Sequence, residues 1–380
     1  MITNRLIVGL KLFKLRCRQA VVSKIGLLIP FFKYSNAKRI LFITEANPIA
    51  QTQIFPFLFY DQALSKQPLA LRELPLDRFK SNNHPYQSHL DIIFLQTWFD
   101  YTDDEMNALI TSIKQRWPQA KLVYADWFAN TDLRYANVLD KHIDAYLKKT
   151  IVKDFNQYLR PTLGHTLLTD YYNRLFFLED NEFHFKIPTS FQEKIFIGSS
   201  FVFADYLLQR FLLPFPDNEN RSIDIHARLA ISGTPWYQKM RQQCFDKVQN
   251  CASKNKLVSQ DRVSNNVFLA ELLDSKICFS PFGYGEVCWR DFEGMCTGSL
   301  VFKQDMSHAI CSPNIFIPYE TYIPLAYDLS DFDEKLDYYL SNPAERTRIA
   351  RNAFQRIRNY FINDEFLQDM RPFLERLDLN

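Results

Sequence analysis

The sequence predicts an α/β protein made of two halves, each built on a mostly parallel sheet, that face one another across a central cleft. Apolar runs typical of buried strands alternate with amphipathic helical segments, and this alternation starts twice, near residue 37 and again after residue 220. Between the two starts, Pro188, Pro214, Pro216 and a polar stretch interrupt it. The chain of 380 residues is also long enough for two domains, each with its own core.

The first half is predicted to contain strands that are buried on both faces of their sheet. Each has a continuous apolar run between polar ends, which is the pattern of a strand in a parallel sheet. The predicted strands are 38–44, 91–95, 121–124 and 143–147. Residues 102–117 are predicted to form a helix, because Thr102 and Glu105 have the spacing of a capping box. We assign residues 37–200 to an N-terminal α/β domain.

The second half repeats this rhythm and ends in a long helix. Its predicted strands are 222–227, 256–259, 276–280, 299–302 and 314–317, and its predicted helices are 236–250 and 267–273. Pro343 suits the first turn of a final helix, in which apolar residues recur with helical spacing up to Phe361. We assign residues 201–362 to a C-terminal domain and 363–380 to a C-terminal helix or tail.

Residues 1–36 form a basic amphipathic segment. Its Lys and Arg residues interrupt every apolar run, so none reaches the ~18 residues that a membrane-spanning helix needs, and a signal peptide is not predicted. Two interpretations stay open: a helix packed on the body of the protein, or an interfacial helix attracted to anionic lipid.

Composition argues against several classes of function. The formal net charge is only +2, so bulk electrostatics do not predict nucleic acid as a partner. Seven cysteines without a CxxC pair or a secretion signal predict reduced thiols and a cytoplasmic location. No metal site is predicted either, because Asp103 and Asp104 fall in the first turn of a helix, where acids are favoured anyway.

The chemistry of the chain concentrates in residues 280–303. Four of the nine glycines lie between Gly283 and Gly298, where they indicate backbone that turns tightly or approaches a ligand closely. A helix is predicted to start near residue 286 or 287, and its free N–H groups attract phosphate. Arg290 adds a charge-assisted contact, and Glu293 suits a ribose diol. The alternative is a tight turn with a surface Arg–Glu pair.

From Ser280 to Lys303, and onward to Tyr360, the sequence resembles the C-terminal half of GT-B glycosyltransferases, closest to the bacterial group-1-like enzymes of cell-surface polysaccharide assembly. The resemblance covers residues 220–362. It implies the GT-B fold, with two Rossmann-like domains that face a cleft, and a nucleotide-sugar donor without any other cofactor. It also implies that Glu293 holds the donor ribose.

The resemblance has one departure. Retaining relatives carry a partner glutamate eight residues before the ribose-binding acid, and this chain has Gly285 there. Glu286 is therefore interpreted as a turn or sugar-contact residue, and a retaining mechanism is in doubt.

Further donor contacts are predicted around this segment. Arg228 follows the first strand of the second half and is a candidate for the diphosphate, with a salt-bridged surface residue as the alternative. Lys303 and His308 are candidates to face the donor sugar. The full predicted donor set is Arg228, Ser280, Gly283, Tyr284, Gly285, Glu286, Arg290, Glu293, Lys303 and His308.

A catalytic base for the acceptor hydroxyl is predicted at the carboxyl end of a strand in the first half. Asp126 and Glu45 fit this position, and Trp127 is expected to raise the pKa of the Asp126 carboxyl group. Capping of the following helix is the alternative for both acids. We favour Asp126, and we expect the helix dipole and an arginine to stabilise the departing diphosphate without a metal.

Together these features predict a glycosyltransferase that moves a sugar from a nucleotide-sugar donor to a hydroxyl of a lipid-linked cell-surface glycan, of lipopolysaccharide or capsule type. Such an acceptor gives the basic N-terminal segment a role in peripheral contact with the cytoplasmic face of the inner membrane. Two other classes stay open: a sugar-nucleotide epimerase or hydrolase of the same fold, and a non-catalytic glycan-binding subunit.

Overall fold

The computed structural model describes residues 6, 9, 10, 12, 13 and 36–379, except 83, 85, 87, 88, 201–203 and 259–261. Most of the predicted N-terminal segment 1–36 therefore lies outside the described residues. Of the few that are described there, Leu12 is buried, whereas Leu6, Leu10 and Phe13 are exposed. No helix in the described ranges has both the length and the apolar character needed to cross a bilayer.

The first sheet has six parallel strands, in the order β2-β1-β3-β4-β5-β9. They are β1 Lys38–Thr44, β2 Leu69–Pro75, β3 Ile92–Leu95, β4 Lys121–Asp126, β5 Ala145–Lys148 and β9 Ile195–Ile197; the chain between the last two contains β6 Thr150–Val152, β7 Thr162–Leu163 and β8 Glu182–Phe183. The four predicted strands are present. Strands β2 and β9 were not predicted, because β2 has charged residues within it and β9 lies in the segment that interrupts the apolar rhythm.

Among the described residues from 36 onward, six α-helices and two 3-10 helices accompany the first half and the connection to the second. They are α1 Pro48–Phe59, α2 Leu76–Lys80, α3 Asp103–Arg116, α4 Ala136–Leu139, α5 Leu167–Leu175 and α6 Asp205–Phe211, together with a 3-10 helix at Phe155–Leu159 and another at Thr189–Lys194. The capping box predicted for α3 is confirmed. The Thr102 hydroxyl accepts from the Glu105 N–H at 3.2 Å, and the Glu105 carboxylate accepts from the Thr102 N–H at 2.8 Å.

The second sheet has five parallel strands, in the order β11-β10-β12-β13-β15. Its strands are β10 Ile223–His226, β11 Leu257–Val258, β12 Ser275–Phe279, β13 Leu300–Gln304 and β15 Ile323–Leu325, with β14 Ala309–Cys311 outside the sheet. The helices are α7 Pro235–Asn250, α8 Asn265–Leu273, α9 Trp289–Cys296, α10 Phe332–Ser341, α11 Pro343–Ile362, α12 Glu365–Asp369 and α13 Arg371–Arg376.

One predicted strand of the second half, 314–317, is wrong. These residues form a loop that is closed by Thr321, whose hydroxyl accepts from the Ile317 N–H at 2.9 Å and donates to the Ile315 carbonyl. The Thr321 side chain thus forms hydrogen bonds with backbone groups that would otherwise pair with a neighbouring strand. The next strand of the sheet is β15, a few residues later.

The end of the chain returns to the first sheet. After α11, the rings of Phe366 and Phe373 pack against Phe57, at centroid distances of 5.8 and 5.9 Å. Lys121 also forms an ion pair with Asp378 at 2.6 Å. The C-terminal residues thus complete the core of the N-terminal half.

A short backbone ladder joins the two halves at one side of the cleft. Strand β6 pairs antiparallel with β14, and an isolated bridge links Ser199 to Ser312. The Lys153 N–H also donates to the His308 carbonyl at 2.8 Å. These backbone hydrogen bonds hold β6 of the first half beside β14 of the second.

Candidate active site

The loops that follow β10 and β12 flank the point where strand order reverses in the second sheet. Chain order runs from β10 to β11 on one side, and β12 to β15 follow on the other. In open parallel sheets, ligands bind beyond the carboxyl ends of the strands at such a switch point. The glycine-rich turn that begins at Ser280 therefore lies beside this switch point.

The helix after this turn begins later than predicted. It is α9, and its N-cap is Cys288, whose N–H donates to the Asp291 carboxylate at 2.8 Å. The expected start at residue 286 or 287 is wrong, because Asp291 caps the helix from inside its own first turn.

Gly285 of the turn lies at a close approach within the molecule. A Cβ on Gly285 would lie 1.9 Å from the Ala129 carbonyl oxygen, so no side chain fits where the turn meets the first half of the molecule. The close approach at this position is between two backbones; a tight turn and a close approach to a ligand were the two predicted reasons for a glycine here. Neither Gly283 nor Gly285 has a positive φ, whereas Gly298 does, at 72°, just after α9 ends. That conformation suits a glycine after a helix.

Tyr284 fastens the turn to the first loop of the second half. Its ring stacks on Tyr237 at 4.4 Å and 8°, and its hydroxyl accepts from the Thr234 N–H at 3.1 Å. A Cβ on Gly233 would lie 2.5 Å from that hydroxyl oxygen. The two loops at the switch point thus form one packed unit.

Arg228 forms a salt bridge, which was the alternative to a contact with the donor diphosphate. Its guanidinium donates two hydrogen bonds of 2.7 Å to the Glu271 carboxylate, which also lies 3.2 Å from His226. These contacts lower the pKa of Glu271, first through the hydrogen bonds from Arg228. The charge of Arg228 is therefore already matched by a protein carboxylate.

Arg290 lies at the start of α9 and is only partly satisfied. One terminal nitrogen donates to the Arg228 carbonyl oxygen, while Nε is buried and has no hydrogen-bond partner among the described residues. Burial, and then the nearby Arg241, lower the pKa of Arg290. The group is thus a cation held in poor solvation beside a second cation.

That second cation, Arg241, was missed by the sequence analysis. It is 6% exposed, and its Nε and Nη1 atoms have no hydrogen-bond partner in the described part of the chain. Its guanidinium lies 5.1 Å from the Tyr237 ring centroid, and a Cβ on Gly283 would lie 4.0 Å from its Nη2. One signal was available: Arg241 follows Tyr237 by four residues on the buried face of α7, where an apolar residue is expected.

Glu293 lies on α9, three residues beyond Arg290, and is 8% exposed. Its carboxylate accepts a hydrogen bond of 3.0 Å from the Tyr206 hydroxyl. Burial raises the pKa of Glu293. The Tyr206 ring also stacks on Trp289 at 5.8 Å. The predicted ribose ligand thus lies beside the predicted phosphate ligand.

Two predicted donor contacts lie in the core instead. Lys303 is fully buried in β13, and its ammonium group pairs with Asp291 at 3.0 Å and donates to the Ser280 carbonyl at 3.3 Å. The Ser280 hydroxyl donates to the same carboxylate at 2.6 Å. The prediction that Lys303 faces a donor sugar is wrong, because Asp291 neutralises it inside the domain.

Glu286 and His308 line a cavity of about 920 Å³ between the two halves. Glu286 is buried; one carboxylate oxygen is 3.4 Å from the donating Thr131 hydroxyl and 3.7 Å from His308 Nε2. The other oxygen has no partner among the described residues. The Tyr327 hydroxyl lies 3.0 Å from His308 Nδ1. A buried acid with one unsatisfied oxygen therefore meets the cleft.

Asp126, the favoured catalytic base, is closed off from the cleft. It is 1% exposed and accepts hydrogen bonds from Lys148 at 2.6 Å, from the Phe128 N–H at 2.9 Å and from the Tyr146 hydroxyl. Its oxygens are engaged by the protein, so the geometry does not support the role of base.

Glu45 lies at the carboxyl end of β1, and burial and then Asp77 raise the pKa of its carboxyl group. It does not line either of the two inter-domain cavities described here.

The second of these cavities, of about 820 Å³, lies on the other side of α5. Its lining includes the rings of Trp98, Trp127, Trp236 and Tyr284. In the described part of the chain, no group of three or more His, Cys, Asp or Glu side chains is placed to hold a metal ion.

Comparison with known proteins gives a family match for most of the second half of the chain. Residues 209–371 match the family described as glycosyl transferase-like. This segment contains Arg228, Arg241, Arg290 and Glu293. The chain is a glycosyltransferase of the GT-B fold. Sequence comparison with curated proteins finds no significant match.

Two solved structures are similar to this chain. An α-glucosyltransferase in complex with UDP and a 13-mer DNA is 10% identical, with a TM-score of 0.51, over 90% of this chain and 100% of that one. A glycosyltransferase from Rickettsia africae is 13% identical, with a TM-score of 0.48, over 91% of this chain and 100% of that one.

Proposed function

We propose that this glycosyltransferase takes its sugar from a nucleotide-diphosphate donor and transfers it to a hydroxyl group of a cell-surface glycan, of lipopolysaccharide or capsule type. The observation that carries the proposal is the pair of arginines at the switch point. Arg241 lies near enough to Arg290 to lower its pKa, and Nε and Nη1 of Arg241 and Nε of Arg290 are buried without a hydrogen-bond partner in the described residues.

A bound anion would stabilise this pair of arginines. A buried guanidinium without an acceptor carries a desolvation cost that the fold does not repay, and two neighbouring cations also repel each other. A diphosphate supplies both the acceptor oxygens and the negative charge. In this arrangement Arg241 and Arg290 bind the phosphates, and Glu293 accepts hydrogen bonds from the ribose.

The same groups support the transfer step. The acceptor oxygen forms a bond to the anomeric carbon, while the bond from that carbon to the diphosphate breaks and its electron pair leaves with the diphosphate. Arg241 and Arg290 stabilise the charge that develops there. We assign the acceptor proton to Glu286 in place of Asp126, because Glu286 lines the cavity between the halves and one of its carboxylate oxygens has no partner among the described residues. Glu45 is the second candidate.

A glycan acceptor is favoured over nucleic acid. The α-glucosyltransferase above was solved with DNA, but the net charge of the present chain is only +2, and acids line both inter-domain cavities. DNA binding depends on the neutralisation of phosphates by Lys and Arg.

Peripheral contact with the cytoplasmic face of the inner membrane is also part of the proposal. Leu6, Leu10 and Phe13 are exposed at helical spacing, which supports an interfacial segment. Flotation with anionic vesicles tests it: wild type should float, and a Leu6→Ser, Leu10→Ser, Phe13→Ser variant should not. Equal flotation of the two would contradict it.

The donor site is tested by calorimetric titration with a panel of nucleoside diphosphates and nucleotide sugars. Wild type should bind the nucleotides of one nucleobase. Arg290→Ala and Glu293→Ala should each lower the affinity for these nucleotides at least 100-fold, which corresponds to about 2.7 kcal/mol. Arg348→Ala, which removes an exposed arginine paired with Glu345, is the matched control. Unchanged nucleotide affinity in Arg290→Ala and Glu293→Ala would contradict the assignment of the donor site.

A further inference from the structure

The cavity of about 820 Å³ beside α5 has two chemically different walls. One wall is aromatic, where Trp98 and Phe99 are 41% and 50% exposed. Trp98 meets Trp127 edge to face at 4.9 Å, and Trp236 meets Tyr284 in the same way at 5.9 Å. Rings held in this way present rigid apolar faces to whatever enters the cavity.

The other wall consists of hydroxyl, amide and carboxylate groups. It comes from the segment between β7 and β8, and its members are Thr166, Thr169, Asn173, Glu179 and Asp180. Asn173 is held in place, because its amide donates to the Leu163 carbonyl at 3.0 Å and to Asp180 at 2.9 Å. A few positioned polar groups opposite an apolar face are typical of a small-molecule site.

The charge of the cavity is negative. Its lining contains the acids Glu179 and Asp180 and one arginine, Arg134. Arg134 is already engaged, since its guanidinium pairs with Asp132 at 2.7 Å and donates to the Phe99 carbonyl at 3.2 Å. His165 adds little positive charge, because burial and Arg134 lower the pKa of its ring. The lining therefore disfavours phosphate and carboxylate groups.

We propose that this cavity binds an uncharged pyranose ring of the acceptor glycan, with its C–H face on the aromatic wall and its hydroxyls on the polar wall. This inference rests on the proposed function and names the acceptor class that it leaves open. A lipid chain has no groups that form hydrogen bonds with the polar wall, and the carboxylates of Glu179 and Asp180 repel the phosphates of a nucleic acid.

The cavity belongs to the acceptor rather than to the donor. Most of its lining comes from the first half of the chain, and the second half contributes only Thr234, Pro235, Trp236 and Tyr284. The paired Arg134 leaves no unmatched cation in the lining for a diphosphate, whereas Arg241 and Arg290 provide two elsewhere.

Tryptophan fluorescence of the full chain, saturated with its preferred nucleoside diphosphate, tests this inference. The probes are neutral gluco-, galacto- and manno-configured trisaccharides, a uronic-acid trisaccharide, single-stranded DNA of 13 nucleotides and a decyl glycoside. We expect a neutral trisaccharide to bind in a salt-independent manner and the uronate and the DNA not to compete. Trp98→Ala should weaken that binding at least 10-fold, and Asp180→Asn should bring the affinity for the uronate to within 3-fold of that for the neutral sugar.

Tyr338→Ala, which removes a half-exposed ring from α10, is the matched control and should change nothing. The inference is overturned if DNA or the decyl chain displaces the sugar, if no neutral trisaccharide alters the fluorescence, or if Trp98→Ala weakens nucleotide binding instead. If wild type still binds the nucleotide in these cases, the proposed function stands; if wild type does not bind a nucleotide at all, that function is removed.

Discussion

Two clusters of buried charge at the ends of the sheets differ in how completely the protein pairs their charged groups. In the first sheet, Asp126 is matched by Lys148 and by the Tyr146 hydroxyl. At the switch point of the second sheet, Arg241 and Arg290 keep N–H groups without partners in the described residues. The first cluster is complete without a ligand, and the second is not. A buried charge by itself therefore does not indicate function; a buried charge that the protein leaves unmatched does.

The largest expected effect comes from breaking the complete cluster. Asp126→Ala leaves the fully buried Lys148 ammonium group without its carboxylate, so the free energy of unfolding should fall by about 3–5 kcal/mol. Urea denaturation measures this fall. The double variant Asp126→Ala, Lys148→Met should recover part of the loss. A single variant as stable as wild type would show that the cluster is not structural.

A cluster of His226, Glu271 and Arg228 in the second half predicts a pH dependence. Burial lowers the pKa of His226 from 6.5 to about 4, so the unfolded chain takes up a proton between these values while the folded chain does not. The contribution of His226 is therefore fully present above pH 6.5 and lost as pH falls toward 4, by about 3 kcal/mol at most.

Unfolding free energies of wild type and His226→Gln, measured between pH 7 and 4, check this prediction. The difference between the two proteins should change in that interval. Parallel curves would contradict it.

The incomplete cluster should behave in the opposite way. Arg241→Met removes a buried cation without leaving an unpaired partner, so the unfolding free energy should stay equal or rise by about 1 kcal/mol. Nucleoside diphosphate affinity should fall about 100-fold, or ~2.7 kcal/mol. Arg228→Met is the matched control, because it should lower stability through the loss of the Glu271 pair. Destabilisation by Arg241→Met would place Arg241 among the structural charges.

The smallest expected effect separates the two glycines of the turn. Gly285→Ala forces a Cβ against the Ala129 carbonyl at 1.9 Å and should move the two halves apart, lowering kcat/KM at least 10-fold. The nearest neighbour of the Cβ in Gly283→Ala is the Cys288 sulfur at 3.2 Å, so this variant should lower kcat/KM less than 3-fold. Steady-state kinetics with a nucleotide sugar distinguish them, and equal losses in the two variants would contradict the contact between the halves.

Much of the fold was predictable from local patterns. Continuous apolar runs predicted the four strands of the first sheet that were proposed, and the capping box of α3 was readable from Thr102 and Glu105. The pattern failed at residues 314–317. There the hydroxyl of Thr321, a few residues away, forms hydrogen bonds with the backbone groups that a strand would pair. Such competition depends on side-chain placement and has no periodic signal.

The sequence by itself determined the two α/β halves and predicted the segment 280–303 as the centre of the chemistry, because strand periodicity and a glycine-rich turn are local properties. Only the tertiary structure decided which charges are matched. Lys303 meets Asp291, Arg228 meets Glu271 and Asp126 meets Lys148 within a domain, while Glu286 meets Thr131 across 155 residues. These pairings depend on how distant segments pack. They leave Arg241 and Arg290 with buried N–H groups that have no acceptor among the described residues, and a bound anion would supply one.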